Sequence, residues 1–530
     1  MIEPKKKNPK NTFSLSFIFT PILMVIFPIL SFYQKNISEL SLKFLVEPLF
    51  YSISLGITMT FIILALTKNK NKSALISSLF IFIFFTYGHI SNSLNNIVFI
   101  QLPNKVVLGP DKILLPIITV LFILINIKIL KTARKLEQVI IFLNVSLFVL
   151  TGALGITIAR TEYYKKSASE IKSTLPQNQI INRQLELPDI YYIILDGYAR
   201  RDILNEIYNY DNSWFIDGLE KMGFYVAGSA RSNYMHTFLS LPSTLNMKYL
   251  DELPQKFGVN PVNELAARQL ISENKVTQML KSQKYTIINF ASTWEETNES
   301  FKADIIYKGD EYYKILNKNI TINEANIIFL KTTLLSPLIN KVWGDIYRER
   351  IQFTLQKLPT IPYMQGNKFV MAHIIAPHPP YVFTVNGDPI QKTEFTFSDE
   401  GPEQRDKYLG QLIFISHQIL KVLKEIIKNS TIPPVIILQS DHGPASIFGR
   451  PEDWLKNYSE EGLKERSGIL YAIYFPDRNY QQLYNSITPV NTFRIIFNKY
   501  FGENLELLPD KTFYTSYEKI YKFKDVTNIK

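Results

Sequence analysis

The chain contains no cysteine, only six histidines, and few acidic residues in its first 160 positions. The absence of cysteine excludes a disulfide framework, a thiolate zinc site, a cysteine nucleophile and a formylglycine made from cysteine. Any metal must therefore be held by Asp, Glu, His and hydroxyl oxygens. The net charge is +11, yet residues 1–160 hold 16 Lys and Arg against 5 Asp and Glu, while the rest holds 42 of each. Because the basic excess lies between long apolar runs, a nucleic-acid partner is disfavoured.

Five apolar stretches in this first part approach the length needed to cross about 30 Å of hydrocarbon. They are residues 13–33, 44–66, 74–90, 113–130 and 139–159. Lys and Arg concentrate in the N-terminal tail and in the second and fourth connections, which the positive-inside rule assigns to the cytoplasm. No small-residue cleavage pattern follows the first stretch, so we interpret it as a retained helix. Five spans predict a multi-pass protein of the inner or plasma membrane whose remainder, after Arg160, lies outside the cytoplasm.

The sequence predicts three regions, namely a transmembrane bundle at 1–160, a polar linker at 161–187 and an exported domain at 188–530. The exported domain contains five short apolar runs rich in β-branched residues, at 190–195, 285–290, 369–375, 435–438 and 471–475. Continuous apolar strands are buried on both faces, which predicts an α/β domain with a mainly parallel sheet flanked by helices. One flanking helix is predicted at 404–428 from leucines and isoleucines at helical spacing.

Three of these runs lead into titratable groups, at Asp196, at Asp441 with His442, and at His378. The carboxyl ends of parallel strands meet at one edge of the sheet, so we expect these side chains to lie close together. Two carboxylates and one imidazole suit a divalent cation such as zinc or manganese. His373 lies inside its strand and is interpreted as a buried core histidine.

A hydroxyl bound to such a cation has a lowered pKa and can act as a nucleophile. The segment 231–246 is rich in hydroxyl side chains and follows a turn at Gly228. Four of its residues are candidates for the nucleophile: Thr237, Ser240, Ser243 and Thr244. Their spacing alone does not choose among them.

Taken together, these motifs resemble those of the alkaline phosphatase/sulfatase superfamily in order and approximate spacing. The motifs are Pro188-Asp-Ile-Tyr-Tyr-Ile-Ile-Leu-Asp196-Gly, Thr237-x-x-Ser240-x-Pro242, Ala376-Pro-His378-Pro-Pro-Tyr381 and Ser440-Asp-His-Gly443. Within the superfamily, the chain looks most like the membrane-anchored lipoteichoic acid synthases and phosphoethanolamine transferases. That branch also has five N-terminal spans and an exported catalytic domain.

The resemblance implies that Asp196, Thr237, Asp441 and His442 ligate one divalent metal ion, either zinc, manganese or magnesium. It implies that Thr237 is the catalytic nucleophile and that His378 contacts substrate phosphate or assists the leaving group. The implied reaction is transfer of a phosphoglycerol or phosphoethanolamine head group from a membrane phospholipid through a phospho-threonine intermediate. The acceptor would be a lipid, a glycan or water.

The sequence departs from this branch at two places. Asp196 stands where the transferases often have Glu, and no histidine follows His442, so the later histidine of two-metal relatives is missing. We therefore expect a single metal ion and a different substrate pocket. Arg231, Asn233 and Arg466 are predicted to supply compensating phosphate contacts, since guanidinium groups bind phosphate bidentately.

Two other functions remain open. A sulfatase requires Cys or Ser in a Cys/Ser-x-Pro-x-Arg motif, and Ser240-Leu-Pro242-Ser-Thr244 has threonine in place of arginine. A sulfatase or a phosphodiesterase-type hydrolase is therefore the second hypothesis. The third is an inactive membrane-anchored binding module, which would be favoured if the predicted metal ligands did not converge in space.

Overall fold

The computed structural model describes most of the chain in eleven segments. They are residues 15–37, 40–94, 100–102, 106–108, 110–132, 136–168, 187–259, 264–298, 301–308, 324–390 and 401–529. Packing divides the chain into two units, the first formed by Met1–Tyr164 with Ile328–Ile339 and the second by Lys165–Ile327 with Asn340–Lys530. The boundaries at 160 and 188 stay predictions, because most of the linker at 161–187 lies outside the described residues.

The first unit is built from five apolar helices. They are α1 (Phe19–Lys35), α2 (Val46–Thr67), α3 (Lys70–Leu94), α4 (Pro110–Lys131) and α5 (Glu137–Ala168). By length and composition the last four can cross a membrane, and α1 is a shorter apolar helix of 17 residues. Strands β1 (Ile100–Leu102) and β2 (Val106–Leu108) pair antiparallel between α3 and α4. The predicted bundle of five N-terminal helices is confirmed.

Polar pairs join these helices within the apolar bundle. The Tyr33 hydroxyl donates to Glu162 Oε1 at 2.8 Å, which joins α1 to α5. The hydroxyls of Tyr87 and Ser91 both donate to Asp111 Oδ1, at 2.6 and 2.7 Å, which joins α3 to α4. In hydrocarbon each polar group needs an internal partner, so these contacts hold the helices in one arrangement.

The second unit contains a seven-stranded sheet of order β4-β9-β8-β3-β7-β5-β6. Its strands are β3 (Ile190–Leu195), β4 (Tyr225–Val226), β5 (Thr286–Phe290), β6 (Ile305–Tyr307), β7 (Lys368–Ile374), β8 (Val435–Gln439) and β9 (Tyr471–Tyr474). The run from β8 to β6 is parallel, while β9 is antiparallel to both of its neighbours, β8 and β4. The predicted mainly parallel sheet is confirmed, with each of the five apolar runs forming a strand.

Eleven helices complete the fold described for the rest of the chain. They are α6 (Arg201–Tyr208), α7 (Ser213–Met222), α8 (Thr237–Asn246), α9 (Glu252–Phe257), α10 (Glu264–Ser272), α11 (Lys275–Ser282), α12 (Glu324–Lys331), α13 (Ser336–Lys357), α14 (Arg405–Asn429), α15 (Glu460–Ser467) and α16 (Thr492–Phe501). The helix predicted at 404–428 is α14. A small antiparallel pair, β10 (Phe513–Tyr514) and β11 (Lys524–Asp525), lies near the C-terminus.

The central strands β3, β7 and β8 are buried along their whole length. Burial on both faces explains why these strands lack polar alternation. In the parallel register, Leu195 pairs with Ile374 and Ile194 pairs with Gln439. The three strands therefore end at one level of the sheet, and the residues that follow them share one edge.

Candidate metal centre and nucleophile

Asp196 lies in the turn that directly follows β3. Its backbone N–H donates to Ile374 O at 3.0 Å, and its carbonyl oxygen accepts from the His378 N–H at 2.9 Å. The next residue, Gly197, has φ +73°, a left-handed conformation that glycine adopts without strain. These contacts fix the turn after β3 to the loop after β7.

Asp441 and His442 lie in a second turn, after β8. The Ser440 hydroxyl donates to His442 O at 2.6 Å and accepts from the Tyr198 N–H at 2.9 Å, which joins this turn to the one after β3. A Cβ atom on Gly443 would lie 2.1 Å from a backbone carbonyl oxygen, so this position requires glycine. The Asp-Gly and Asp-His-Gly sequences thus set the two carboxylates against each other.

Thr237 is the first residue of α8, and its side chain is partly exposed. Its Oγ1 lies 3.0 Å from His442 Nε2. The N-terminus of a helix has a partial positive charge and unpaired N–H groups, which favour an anion such as a phosphoryl group. This position gives Thr237 both access to substrate and a favourable electrostatic environment.

The other three candidate hydroxyls are buried and bonded to backbone carbonyl oxygens. Ser240 donates to Asp441 O at 2.7 Å, Ser243 to Lys248 O at 2.7 Å, and Thr244 to the carbonyl of Ser240 at 3.0 Å. Ser240 therefore holds α8 against the turn after β8. Burial and these bonds favour Thr237 over the other hydroxyls as the reactive group.

The four predicted metal ligands converge around one imidazole nitrogen. His442 Nε2 lies 3.0 Å from Thr237 Oγ1, 3.3 Å from Asp441 Oδ2 and 3.6 Å from Asp196 Oδ1. In a tetrahedral zinc site with bonds of about 2.0–2.2 Å, ligand atoms lie roughly 3.3–3.6 Å apart. Both carboxylate oxygens of Asp441 and Oδ1 of Asp196 are buried and have no hydrogen-bond partner. The residues therefore fit a divalent cation.

Two further histidines border this cluster. One ligand atom each from Asp196, His378 and His442 lie within 4.8 Å of one another, and so do atoms from Asp196, His373 and Asp441. His373 is buried, as predicted, but its Nε2 lies 3.2 Å from Asp196 Oδ2. The carboxylate accepts this bond, so Nε2 carries a proton, and Nδ1 lies 2.9 Å from the Thr297 hydroxyl oxygen. His373 thus fixes the orientation of Asp196, a role that sequence reasoning missed.

Arg466 brings a positive charge to the same cluster. Its Nη2 lies 3.1 Å from His442 Nε2, and its Nη1 and Nε donate to the carbonyl oxygens of Gly443 and Met235 at 2.8 and 2.9 Å. The side chain is buried and stacks over Trp454, with 5.2 Å between the guanidinium carbon and the ring centroid. Of the three predicted phosphate contacts, Arg466 is the one that the structure brings to the cluster.

Arg231 and Asn233 have partners elsewhere. Asn233 is fully buried, donates to Lys511 O at 2.9 Å and accepts from the Val490 N–H at 2.8 Å. Arg231 donates to Thr527 O. Both side chains attach the segment before α8 to the C-terminal part of the chain, and their substrate contacts stay predictions.

The charges of the cluster alter the acidity of its members. Burial raises the pKa of Asp441 to about 7, and the charge of Asp196 adds to this effect. Burial would also raise the pKa of Asp196, but the charge of His378 and the hydrogen bond from His373 outweigh it and hold that pKa below its usual range. Burial, with the Arg466 guanidinium beside it, lowers the pKa of His442 well below its usual range. A neutral His442 and an ionised Asp196 are the forms that ligate a cation.

A cleft lies beside His373, between α13 and the loop that follows β5. It has room for about one water molecule, within a wider space of about 240 Å³ that includes open solvent. Its polar lining includes Arg350, Thr354, Ser292 and Thr293, and the Thr293 hydroxyl is buried without a hydrogen-bond partner. No carboxylate occurs among the described residues that line it.

The fold and this cluster define an α/β protein with two buried carboxylates, an imidazole and a partly exposed hydroxyl at the carboxyl edge of its sheet. The family model for Sulfatase matches residues 188–494, which is more than half of the chain. The chain belongs to the sulfatase family, a family of enzymes.

The chain is also similar to several solved structures, three of which follow. The C-terminal periplasmic domain of EptC from Escherichia coli is 13% identical, with 65% of this chain and 94% of that chain covered and a TM-score of 0.42. The lipooligosaccharide phosphoethanolamine transferase A from Neisseria meningitidis, an integral membrane protein, is 12% identical over 91% and 95%, with a TM-score of 0.39. The putative sulfatase YidJ from Bacteroides fragilis is 13% identical over 65% and 83%, with a TM-score of 0.36. No curated protein matches the chain.

Proposed function

We propose that this protein transfers a phosphoryl-linked head group from a membrane phospholipid, using Thr237 as a covalent nucleophile. The observation that carries the proposal is the convergence of Thr237, Asp196 and Asp441 on His442 Nε2, in a chain that also has apolar helices of membrane-spanning length. Such a cluster supplies a nucleophile, and the membrane-spanning helices retain the protein where phospholipids are the available phosphodiesters.

In the first step, Thr237 Oγ1 forms a bond to phosphorus while the bond between phosphorus and the diacylglycerol oxygen breaks. The departing oxygen takes up a proton, for which partly exposed His378 is the proposed donor, and the Thr237 proton is released to solvent. In the second step an acceptor hydroxyl or water attacks the phospho-threonine, the Oγ1–phosphorus bond breaks and Thr237 regains a proton. Diacylglycerol is the first product.

Asp196, Thr237, Asp441 and His442 would hold one divalent cation, with zinc, manganese and magnesium as candidates. When bound there, the cation lowers the pKa of the threonine hydroxyl and offsets negative charge on the phosphoryl oxygens. Arg466 Nη2 lies 3.1 Å from the same imidazole nitrogen, and Nη2 would be released to bind a phosphoryl oxygen once that nitrogen ligates a cation. The N-terminus of α8 adds a further partial positive charge beside Thr237.

The two alternative hypotheses are less well supported. Thr244 occupies the position where the sulfatase motif requires arginine, and its hydroxyl is bonded to the carbonyl oxygen of Ser240. An inactive binding module would not need three buried carboxylate oxygens without hydrogen bonds, because such groups cost free energy unless a cation pairs with them. Both observations favour phosphoryl transfer.

The proposal requires the second unit to lie outside the cytoplasm. Reporter fusions after residue 165 are therefore expected to be active outside the cytoplasm, and fusions at residues 70 and 133 to be active inside, because Lys and Arg cluster in those connections. The measurement is the activity of alkaline phosphatase and fluorescent-protein fusions in whole cells. A cytoplasmic signal after residue 165 would contradict the proposed topology.

The cleft beside His373 bears on the choice of head group. The Thr293 hydroxyl has no hydrogen-bond partner and could bond a hydroxyl of a polyol, whereas an ammonium group needs a carboxylate or an aromatic cage. Arg350 would repel an ammonium group. The lining therefore favours a phosphoglycerol over a phosphoethanolamine head group.

We expect the detergent-solubilised protein to release diacylglycerol from phosphatidylglycerol in a metal-dependent way, about tenfold faster than from phosphatidylethanolamine. A tenfold preference corresponds to about 1.4 kcal/mol, which is the size of one hydrogen bond. The measurement is the initial rate of diacylglycerol release from each lipid, with an aryl sulfate as a third substrate. Little turnover of the aryl sulfate is expected.

Two arginines of α13 provide a matched comparison. Arg350→Gln is expected to reduce the preference for phosphatidylglycerol, while Arg348→Gln, on the same helix but outside the cleft lining, should leave it unchanged.

Robust aryl sulfatase turnover without cleavage of either phospholipid would replace the proposal with the second hypothesis.

A further inference from the structure

Residues 328–339 lie far along the chain from the apolar helices, yet they pack within the first unit. The chain therefore passes between the two units three times rather than once. The Phe329 ring is buried against three aromatic rings of the bundle, with centroid distances of 5.3 Å to Phe32, 6.2 Å to Phe44 and 6.1 Å to Phe85. These rings belong to α1, to the turn before α2 and to α3.

Backbone hydrogen bonds join the same segment to α3. The Gly88 N–H donates to Thr332 O at 3.1 Å, and the Leu334 N–H donates to Phe84 O at 2.7 Å. A Cβ atom on Gly88 would lie 2.0 Å from a backbone carbonyl oxygen of the segment. Only glycine permits so close an approach of two backbones, which is the role of small residues between membrane helices.

The segment satisfies its own polar groups where α12 ends. The hydroxyl of Thr332 donates to Phe329 O at 2.7 Å, and the hydroxyl of Thr333 donates to Leu330 O at 2.6 Å. Where the chain turns out of reach of water, its carbonyl oxygens and hydroxyls need hydrogen-bond partners within the protein. The remaining residues of 328–339 are mostly apolar, with Lys331 as the single charged side chain.

Two apolar side chains of the segment remain exposed. Leu335 and Leu338 are 38% and 59% exposed, in the same range as the outward-facing residues of α4, where Leu124 is 58% exposed. Single exposed leucines also occur in the second unit, where Leu507 is 38% exposed, so what points to lipid contact is where these two lie: in a segment packed among apolar helices of membrane-spanning length. The contacts with Phe32 and Gly88 lie toward the ends of α1 and α3 that are remote from the lysines at 68–72.

We propose that residues 328–339 form a sixth membrane-associated element, a re-entrant clasp, whose Leu335 and Leu338 contact phospholipid acyl chains. The clasp is held in the bundle by Phe329 and by the backbone of α3 at Gly88. It enters the bilayer at the face opposite the Lys-rich connections and leaves by the same face. The clasp includes the apolar residues at the start of α13 and so assigns them a role. Its contact with the membrane does not depend on the reaction that the second unit catalyses.

The absence of native cysteine allows a direct test on the full-length protein in lipid vesicles. Single cysteines at Leu335, Leu338, Leu124 and Leu507 are labelled with an environment-sensitive fluorophore, and quenching by brominated acyl chains is measured. Labels at Leu335 and Leu338 are expected to be quenched to within about twofold of the label at Leu124 in α4. The label at Leu507, in the second unit, should not be quenched. Labels at Leu335 and Leu338 as unquenched as the one at Leu507 would overturn the proposal.

A glycine pair tests how the clasp is held. Gly88→Val should at least halve the quenching at Leu335, whereas Gly152→Val in α5, where a Cβ meets nothing within 4 Å, should not change it. The label at Leu124 reports whether the bundle remains inserted, and Phe329→Ala provides a milder variant if Gly88→Val does not fold. Equal quenching at Leu335 in Phe329→Ala, Gly152→Val and the unsubstituted protein would refute the proposed attachment.

Discussion

Thr237→Ala is expected to lower phospholipid turnover by about a thousandfold or more, because removal of a covalent nucleophile leaves only the residual catalysis of the surrounding site. The Thr237 hydroxyl is partly exposed and makes its hydrogen bond to His442 within the cluster, so its loss should change neither folding nor membrane insertion. The measurement is diacylglycerol release under single-turnover conditions, together with mass spectrometry for a phosphorylated peptide that contains residue 237.

Ser240→Ala is the control for this substitution. The Ser240 hydroxyl is buried and donates to Asp441 O, so its removal should cost about 1 kcal/mol of stability and lower turnover only modestly. Similar turnover in Thr237→Ala and the unsubstituted protein would assign the nucleophile to another hydroxyl. A phosphorylated peptide from the unsubstituted protein that is missing from Thr237→Ala would support the covalent intermediate.

Most of the second unit's sheet could be predicted from the sequence, because its central strands are buried on both faces. An uninterrupted run such as 435–438 has no polar alternation, and only a covered parallel sheet accommodates several such runs. The helix at 405–429 is also predictable from the sequence, because apolar residues recur at helical spacing along one of its faces. These signals are local, so they required no knowledge of which strands are neighbours.

The side chains around the cluster were predicted less completely, because their positions depend on strand order. His373 contacts Asp196 only because β7 lies directly beside β3 in the sheet. In the sequence, His373 is visible only as a polar residue near the end of a buried strand. A histidine that merely packs in the core gives the same pattern. Arg231 and Asn233 precede Thr237 in sequence, yet the approach to α8 directs their side chains toward residues 488–527.

The segment 328–339 could not be predicted as part of the helix bundle. Twelve residues are too few to span a bilayer as a helix, and an apolar stretch of this length is equally typical of a buried core helix. Its position depends on contacts between residues far apart in the chain, among them the close backbone approach that glycine permits at position 88. A glycine inside an apolar helix does not by itself identify which segment approaches it.

Asp441→Asn is expected to abolish metal-dependent turnover and, at pH 8, to make the metal-free protein more stable. Both Asp441 oxygens are buried without hydrogen bonds beside Asp196, and these surroundings raise the pKa of Asp441 to about 7. In the unfolded chain this carboxyl ionises near its usual pKa of 3.8, so the loss of folding stability develops between about pH 4 and pH 7 and is fully present at pH 8. An uncharged amide should therefore stabilise the metal-free fold by about 1 to 3 kcal/mol.

Thermal unfolding with and without metal separates this effect from general damage. Addition of zinc or manganese at about a thousand times its dissociation constant should stabilise the unsubstituted protein by roughly 4 kcal/mol, and Asp441→Asn by almost nothing. Elemental analysis is expected to return about one ion per chain for the unsubstituted protein, since the ligand set serves a single site.

Asp189→Asn is the contrasting control. Asp189 pairs with the buried Lys368 ammonium at 3.0 Å, so its neutralisation should destabilise the protein. If Asp441→Asn destabilised the metal-free protein as Asp189→Asn does, the carboxylate would be a structural partner and the proposed cation site would be refuted.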